Sequence, residues 1–184
     1  KAPAEVTAEA LALFGWNESA LDGTVRPSTV FAGEAKFLVL PLAREEDFRG
    51  MAYDQAQGAA FMRAHGFITL HLFWQERAGL IHARNPFAGH GVYEDPATGA
   101  SASAVAGYLR DAYGVTQPYD VLQGVDMGVP CRLHVAAQAG EGAAVSEDVS
   151  SGVPQAKRAR ATRADRRFMR WPEQLRAAAT NRSG

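Results

Sequence analysis

The stretch Glu94-Asp95-Pro96-Ala97-Thr98-Gly99-Ala100-Ser101, followed by an apolar run to Ala112, decides how the rest of the chain is read. It reads as a loop that turns into a helix N-terminus. Two acids stand before the turn. Pro96 has a fixed φ and no N–H to donate, which suits a loop or a first helical turn. Thr98 and Ser101 are natural caps. Gly99 and Ala100 leave the backbone N–H groups uncovered, so a ligand can approach closely. The first N–H groups of a helix lack internal partners and carry partial positive charge, so such an end accepts a carboxylate or phosphate. An acid beside this cradle is placed to move a proton on a bound acid. The same pattern also describes a well-capped helix with no ligand at all, since small, capping and acidic residues open many helices.

In the helix itself, Ala102, Val105, Ala106, Leu109, Ala112 and Tyr113 follow the 3.6 period, and Gly114 ends it. Its first turns are mostly Ala, Ser and Gly, which lets it lie close to a sheet, so strands are expected to wrap it. Upstream, Phe67 to Trp74 is apolar on both faces and reads as a central strand, Gln75 to Gly79 as a polar turn, and Leu80 to Arg84 as the hairpin partner. Asn85 to Gly91 reads as a loop. Asp54 to His65 has a capping Asp54, Gln57 three residues on and Gly66 past its end, which predicts a helix. Arg44 to Met51 reads as a helical turn or two. Ala35 to Leu40 reads as a strand closed by Pro41, Asn17 to Gly33 as turn-rich, and Thr7 to Phe14 as a short helix capped by Thr7. Downstream, Tyr119 to Gln123, Cys131 to Ala137 and Ala143 to Val149 read as three strands, with Cys131 a buried strand residue. Strands and helices mix without regular βαβ alternation, so the expected class is α+β with a largely antiparallel or mixed sheet around a central helix.

The 184 residues suffice for one good-sized domain, and 47% hydrophobic with 21% charged residues is a globular composition. No apolar run reaches the roughly 18 residues of a membrane span, and Lys1-Ala2-Pro3-Ala4-Glu5 has no apolar signal core. A cytoplasmic location is the default expectation. One Cys excludes an internal disulfide framework and a clustered thiolate site, and the five His show no HExxH-type spacing, so no metal is expected. Charge is uneven: residues 1–150 hold 10 Lys/Arg against 18 Asp/Glu, and residues 151–184 hold 9 against 2. In the tail from Pro154, Arg163, Arg166, Arg167 and Arg170 would line one side of a helix. Aromatic residues there are sparse (Phe168 and Trp171), so a solvated or disordered terminus is favoured over a nucleic-acid arm.

Glu94 to Gly99 resembles the EDPATGSA signature of the PhzF-like (phenazine biosynthesis-like) proteins. Arg84 stands upstream at the family's distance, before a Phe/Pro-containing loop and Gly91-Val92. Downstream, Gln123-Gly124 and Met127-Gly128-Val129-Pro130-Cys131 resemble the family's QG..MGRPS segment. The resemblance covers roughly residues 30–150 and excludes the tail.

It implies a diaminopimelate-epimerase-like fold, in which two lobes each wrap a sheet around a central helix and the site lies between them. The second lobe's central helix would be Gly99 to Ala112. It also implies a cofactor-free isomerase or epimerase acting on a small carboxylic acid, commonly as a homodimer; the short apolar runs and the aromatic-poor tail, for their part, lead to no expectation of a membrane partner and disfavour a nucleic-acid one. Asp95 is the catalytic candidate, hydrogen-bonding substrate or orienting a base. Glu94, Thr98, Gly99, Ala100 and Ser101 are the substrate-binding candidates, the last three through backbone N–H. Glu94 reads equally as an ionic or capping residue, and His82 and His90 flank the loop as structural or site residues.

Departures from the family pattern matter. Ala100 stands where the signature has Ser, and Ser101 points about 100° further round. The family's Arg and Ser in MGRPS are Val129 and Cys131. Thr98 stands where related epimerases carry a thiol, which argues against two-thiol racemisation. Nothing in residues 1–30 resembles the segment carrying the family's glutamate base. The expectation is therefore residues 1–30 as the end of, or link from, a missing first lobe, 31–153 as the C-terminal lobe, and 154–184 as a basic tail. On that expectation the fragment lacks its base and is inactive alone, and the face around Asp95 and Phe87 is apolar and self-associating. The rival expectation is a non-catalytic carboxylate-binding or interaction module.

Overall fold

The computed structural model describes residues 1–138 and 143–148. The expected tail and the end of the last strand at Val149 lie outside the described residues. The helices are α1 (Ala4–Leu13), α2 (Glu45–Arg49), α3 (Gln55–His65) and α4 (Gly99–Tyr113). The strands are β1 (Ser28–Ala32), β2 (Ala35–Leu42), β3 (Thr69–Arg77), β4 (Leu80–Pro86), β5 (Glu94–Asp95), β6 (Tyr119–Gln123), β7 (Cys131–Ala137) and β8 (Ala143–Asp148).

They form one eight-stranded sheet in the order β1-β2-β3-β4-β6-β7-β8, with β5 added beside β4. Two pairs are parallel, β2 with β3 and β4 with β6, and the other five are antiparallel. Each parallel pair is joined by a helical crossover: α2 and α3 lead from β2 to β3, and α4 leads from β4 to β6. Both crossovers step the same way along the sheet, but the β3–β4 hairpin reverses strand direction between them. Right-handed crossovers then place the two helical layers on opposite faces.

The side chains alternate accordingly. In β2, Phe37 and Val39 join Phe73, Ile81, Val121 and Leu133 against Ala102, Val105, Ala106 and Leu109 of α4. Leu38, Leu40 and Leu42 of the same strand pack with Leu70, Leu72, Phe48, Phe61 and Met62 on the other face. Each fully buried Leu or Phe contributes about 1.5–3 kcal/mol of transfer free energy. The small side chains of α4 let the sheet curl around it until β1, β7 and β8 all touch it. Tyr113 Oη accepts from Arg26 N at 2.9 Å and Tyr108 Oη donates to Arg26 O at 2.7 Å, tying α4 to the chain just before β1. This is the α+β architecture expected, a largely antiparallel mixed sheet wrapped around the helix that begins at Gly99. Among the described residues no helix is long and apolar enough to cross a membrane.

Several local expectations need correction. The first helix starts at Ala4, so Thr7 lies inside it. Its hydroxyl donates to Pro3 O at 3.0 Å instead of capping the helix. The stretch read as turn-rich contains β1, whose β-branched Thr29 and Val30 pair with Leu38 and Phe37. Pro41 does not close β2, which runs on to Leu42. β1 ends its pairing at Val39, and beyond it Pro41 meets Asp22 by accepting from Asp22 N at 3.0 Å, a rung that needs no N–H from the proline. β3 extends to Arg77 through an irregularity at Gln75, which narrows the expected turn to Ala78-Gly79. β4 continues to Pro86, and the loop after it holds a 3-10 turn at Ala88–His90. The bounds of α3, β6 and β7 are those expected to within a residue.

Candidate functional site

The site lies where β5 runs into α4. Thr98 occupies the N-cap position of α4, but its hydroxyl does not cap the helix. It donates instead to Asp95 Oδ2 at 2.6 Å, while Asp95 Oδ1 accepts a long bond from Ala97 N at 3.4 Å. The half-buried Asp95 carboxylate is thereby folded over its own turn. The intrahelical ladder begins with Ala102 N on Thr98 O. Among the described residues no loop or side-chain oxygen accepts from the N–H groups of Gly99, Ala100 or Ser101. Three helix-end donors without such an acceptor thus lie beside the Asp95 carboxylate.

Gln123, at the end of β6 and 0% exposed, clamps the turn from beneath. Its Oε1 accepts from Thr98 N at 3.1 Å, and its Nε2 donates to Asp95 O at 2.7 Å and to Thr98 Oγ1 at 3.0 Å. Gly124 follows with φ +71°, and a Cβ there would stand 2.4 Å from Val129 O and 3.0 Å from Pro96 O. Only glycine lets these two segments approach so closely. From β8, Glu147 Oε1 reaches within 3.1 Å of the position a Cβ on Gly99 would occupy, so a strand carboxylate also flanks the helix end.

The other predicted residues are placed differently. Glu94 is 3% exposed, and both its oxygens are held by Arg84, at 3.0 Å from Nε and 2.6 Å from Nη2. Arg84 Nη1 also donates to Arg49 O at 3.1 Å, so the pair fastens β4 and β5 to the end of α2. Burial pulls the Arg84 guanidinium down and the Glu94 carboxylate outweighs it, holding the group above its ordinary range. Glu94 is therefore a buried ionic residue in this chain, with no oxygen turned to a ligand. Ser101 is fully buried inside the first turn of α4. Its hydroxyl meets Asn85 Nδ2 at 2.7 Å, His71 Nδ1 at 3.0 Å and Thr98 O at 3.1 Å, so the side chain is spent inside the fold. His71 of β3 and Asn85 of β4 meet at this hydroxyl, and among the described residues their Nε2 and Oδ1 have no hydrogen-bond partner. Burial lowers the His71 pKa to about 4, so the ring is neutral. Ala100 is exposed at the helix end.

His82 is buried on the opposite face, between Arg49 Nη2 at 3.1 Å and Glu76 Oε2 at 2.7 Å. His90 is exposed and packs its ring on half-buried Phe87 at 4.8 Å. Neither reaches the turn. Cys131 is buried in the α4 core. The residues that sequence reading did not assign to the site are Gln123, His71, Asn85 and Glu147. Gln123 carries a signal, since Gln123-Gly124 belongs to a motif; the other three carry none.

The fold and this turn define a lobe of the diaminopimelate-epimerase-like architecture. The family model of phenazine biosynthesis-like proteins matches residues 2–151, and the chain belongs to that PhzC-PhzF family. The match begins well before residue 30, so the likeness reaches further toward the N-terminus than the sequence motifs carry it. Among solved structures, a predicted epimerase from Pseudomonas aeruginosa is 23% identical, with TM-score 0.61 over 83% of this chain and 54% of that one. A phenazine biosynthesis protein of the PhzF family from Bacillus anthracis is 14% identical, with TM-score 0.57 over 76% of this chain and 50% of that one. The chain thus spans about half the length of these structures. No curated protein sequence matches it.

Proposed function

We propose that the complete protein is a cofactor-independent isomerase or epimerase that moves a proton on a small carboxylate-bearing substrate. This chain would supply the half of the site that holds the carboxylate. The observation that carries the reading is the open end of α4, where three N–H groups next to Asp95 have no loop or side-chain acceptor among the described residues. Membership of the PhzC-PhzF family and the likeness to a predicted epimerase support it. In this reading the N–H groups of Gly99, Ala100 and Ser101 bind the substrate carboxylate and stabilise charge that develops on it. Asp95 hydrogen-bonds the substrate or orients the proton-transferring group, which comes from a second lobe.

The surface supports a second lobe. Of the six exposed large apolar side chains among the described residues, five are Val92, Tyr93, Val125, Met127 and Val129. Tyr93 leads into Glu94, and the Val125 to Val129 loop leaves from Gly124, which touches Pro96. An apolar rim therefore flanks the turn, and its cover would exclude water from the site.

The test is deuterium incorporation by the complete protein in D₂O, offered a panel of cyclic and amino acids. The expected result is exchange at a carbon next to a carboxylate or in a conjugated acid. In Asp95→Asn, which keeps an acceptor for Thr98, that exchange should fall by about 10²–10⁴-fold. A panel that takes up no deuterium would overturn the isomerase reading. Carboxylate binding by calorimetry without exchange would then select the binding module, which Ala100 in place of the signature hydroxyl favours.

A further inference from the structure

The hydrogen-bond directions around Gln123 are fixed by chemistry. Thr98 N–H can only donate, so the amide oxygen must face it. The Asp95 carbonyl can only accept, so the amide nitrogen must face that side. Nε2 carries two hydrogens. One goes to Asp95 O at 2.7 Å and the other to Thr98 Oγ1 at 3.0 Å. With its oxygen accepting from Gln123, the Thr98 hydroxyl has one hydrogen left, and Asp95 Oδ2 lies 2.6 Å away to take it. The chain of donors therefore runs one way, from Gln123 through Thr98 to Asp95.

This direction has two effects. The Asp95 carboxylate is held by a short, charge-assisted bond in one orientation. The Thr98 hydroxyl is also drawn away from the first turn of α4, where an N-cap side chain would otherwise accept from the N2 or N3 N–H, here Ala100 or Ser101.

We propose that Gln123 is a positioning residue: by aiming the Thr98 hydroxyl at Asp95 it orients that carboxylate and keeps the end of α4 uncapped for an anion. The proposal rests on the reading that Asp95 and the α4 end meet the substrate. Gln123 is not a surface residue of opportunity, because its amide is wholly buried and all its hydrogens are used on this one turn.

The test uses the full chain and NMR, with benzoate as the anion probe. In the wild type the Asp95 side-chain couplings should report a single χ1 rotamer, and benzoate should shift the amides of Gly99, Ala100 and Ser101. In Gln123→Glu, whose side chain carries at most one hydrogen where the amide carries two, Asp95 O and Thr98 Oγ1 can no longer both be served, and the single-rotamer couplings of Asp95 should be lost even though Thr98 is intact. In Thr98→Val they should be lost, and in Thr98→Ser they should return; a merely structural contact would not respond to the hydroxyl alone. Should Gln123→Glu fail to fold, the Thr98→Val and Thr98→Ser pair decides the matter. Retention of the single rotamer in folded Gln123→Glu or in Thr98→Val would overturn the proposal. Benzoate leaving the three amides unmoved in the wild type, with the couplings behaving as expected, would overturn the anion reading instead and leave the orientation of Asp95 by Gln123 standing.

Discussion

Helices α3 and α4 both begin after a residue able to cap them, and they end alike, at Gly66 and Gly114 in the left-handed region. Their N-termini differ. Asp54 turns its carboxylate onto Gln57 N at 2.8 Å and closes α3. Thr98 turns its hydroxyl back to Asp95 and leaves α4 open. The residue type at a cap sets what can be bonded, and the neighbours decide what is. Nothing competes for Asp54 at an exposed position, whereas a buried amide and a carboxylate both claim Thr98. The closed end serves stability, and the open end keeps its first N–H groups without a side-chain acceptor among the described residues.

The comparison can be broken at four points. The largest effect is expected beneath the open end, where Arg84→Ala or Glu94→Ala leaves one buried charge unpaired and should cost about 3–5 kcal/mol in urea unfolding. The double change Arg84→Met/Glu94→Leu should recover much of that loss.

Next comes pH. His71 titrates near 4 when folded, below the ~6.5 of an unfolded histidine, so the unfolded chain binds the extra proton first. Its share of stability is intact above about pH 6.5, is lost as pH falls toward 4 and changes no further below that. The loss is on the order of 3 kcal/mol, and unfolding measured across pH 7 to 4 should show this component missing in His71→Phe.

A smaller effect is expected at Gly124, where an alanine would be strained at φ +71° and would collide with Val129 O. Gly124→Ala should cost roughly 1–3 kcal/mol and shift the amide resonances of Ala97 and Thr98. The smallest is at the closed end. Asp54→Ala should cost about 1 kcal/mol, read as a lower urea midpoint, and leave the amides of Gly99 to Ser101 unmoved.

Much of this architecture was legible because its signals are local. The Asp54/Gly66 pair bounds α3, and the period-3.6 pattern after Gly99 marks α4. β1 was obscured because Pro27 and two glycines surround its five residues, and its pairing with β2 is what makes it a strand. Pro41 misled because proline's cost depends on which neighbour is present at that rung. The two parallel pairings follow from helices that cross over the sheet, which no hairpin-length turn announces.

At the candidate site, the turn that sets Asp95 beside the start of α4 is readable from one contiguous string. The burial of Glu94 was not, since it depends on Arg84 ten residues earlier and on the carbonyls ending α2. Nor could the string show that Ser101 would face His71, 30 residues away, or that Gln123, 25 residues on, would hold Thr98. Side-chain polarity in a buried cluster is set by long-range neighbours, and those exist only once the sheet has curled.

The bonds from Tyr108 and Tyr113 to Arg26 span 82 and 87 residues of sequence. A chain emerging from a ribosome would make β1, β2 and the α1 to α3 layer early, then hold the apolar underside of β2 and β3 bare until α4 is synthesised. Contacts of such long separation slow folding, and a half-covered sheet with an open edge is prone to pair with its own kind. Synthesis rate and chaperone supply should therefore govern the yield of this protein more than the final strength of its core.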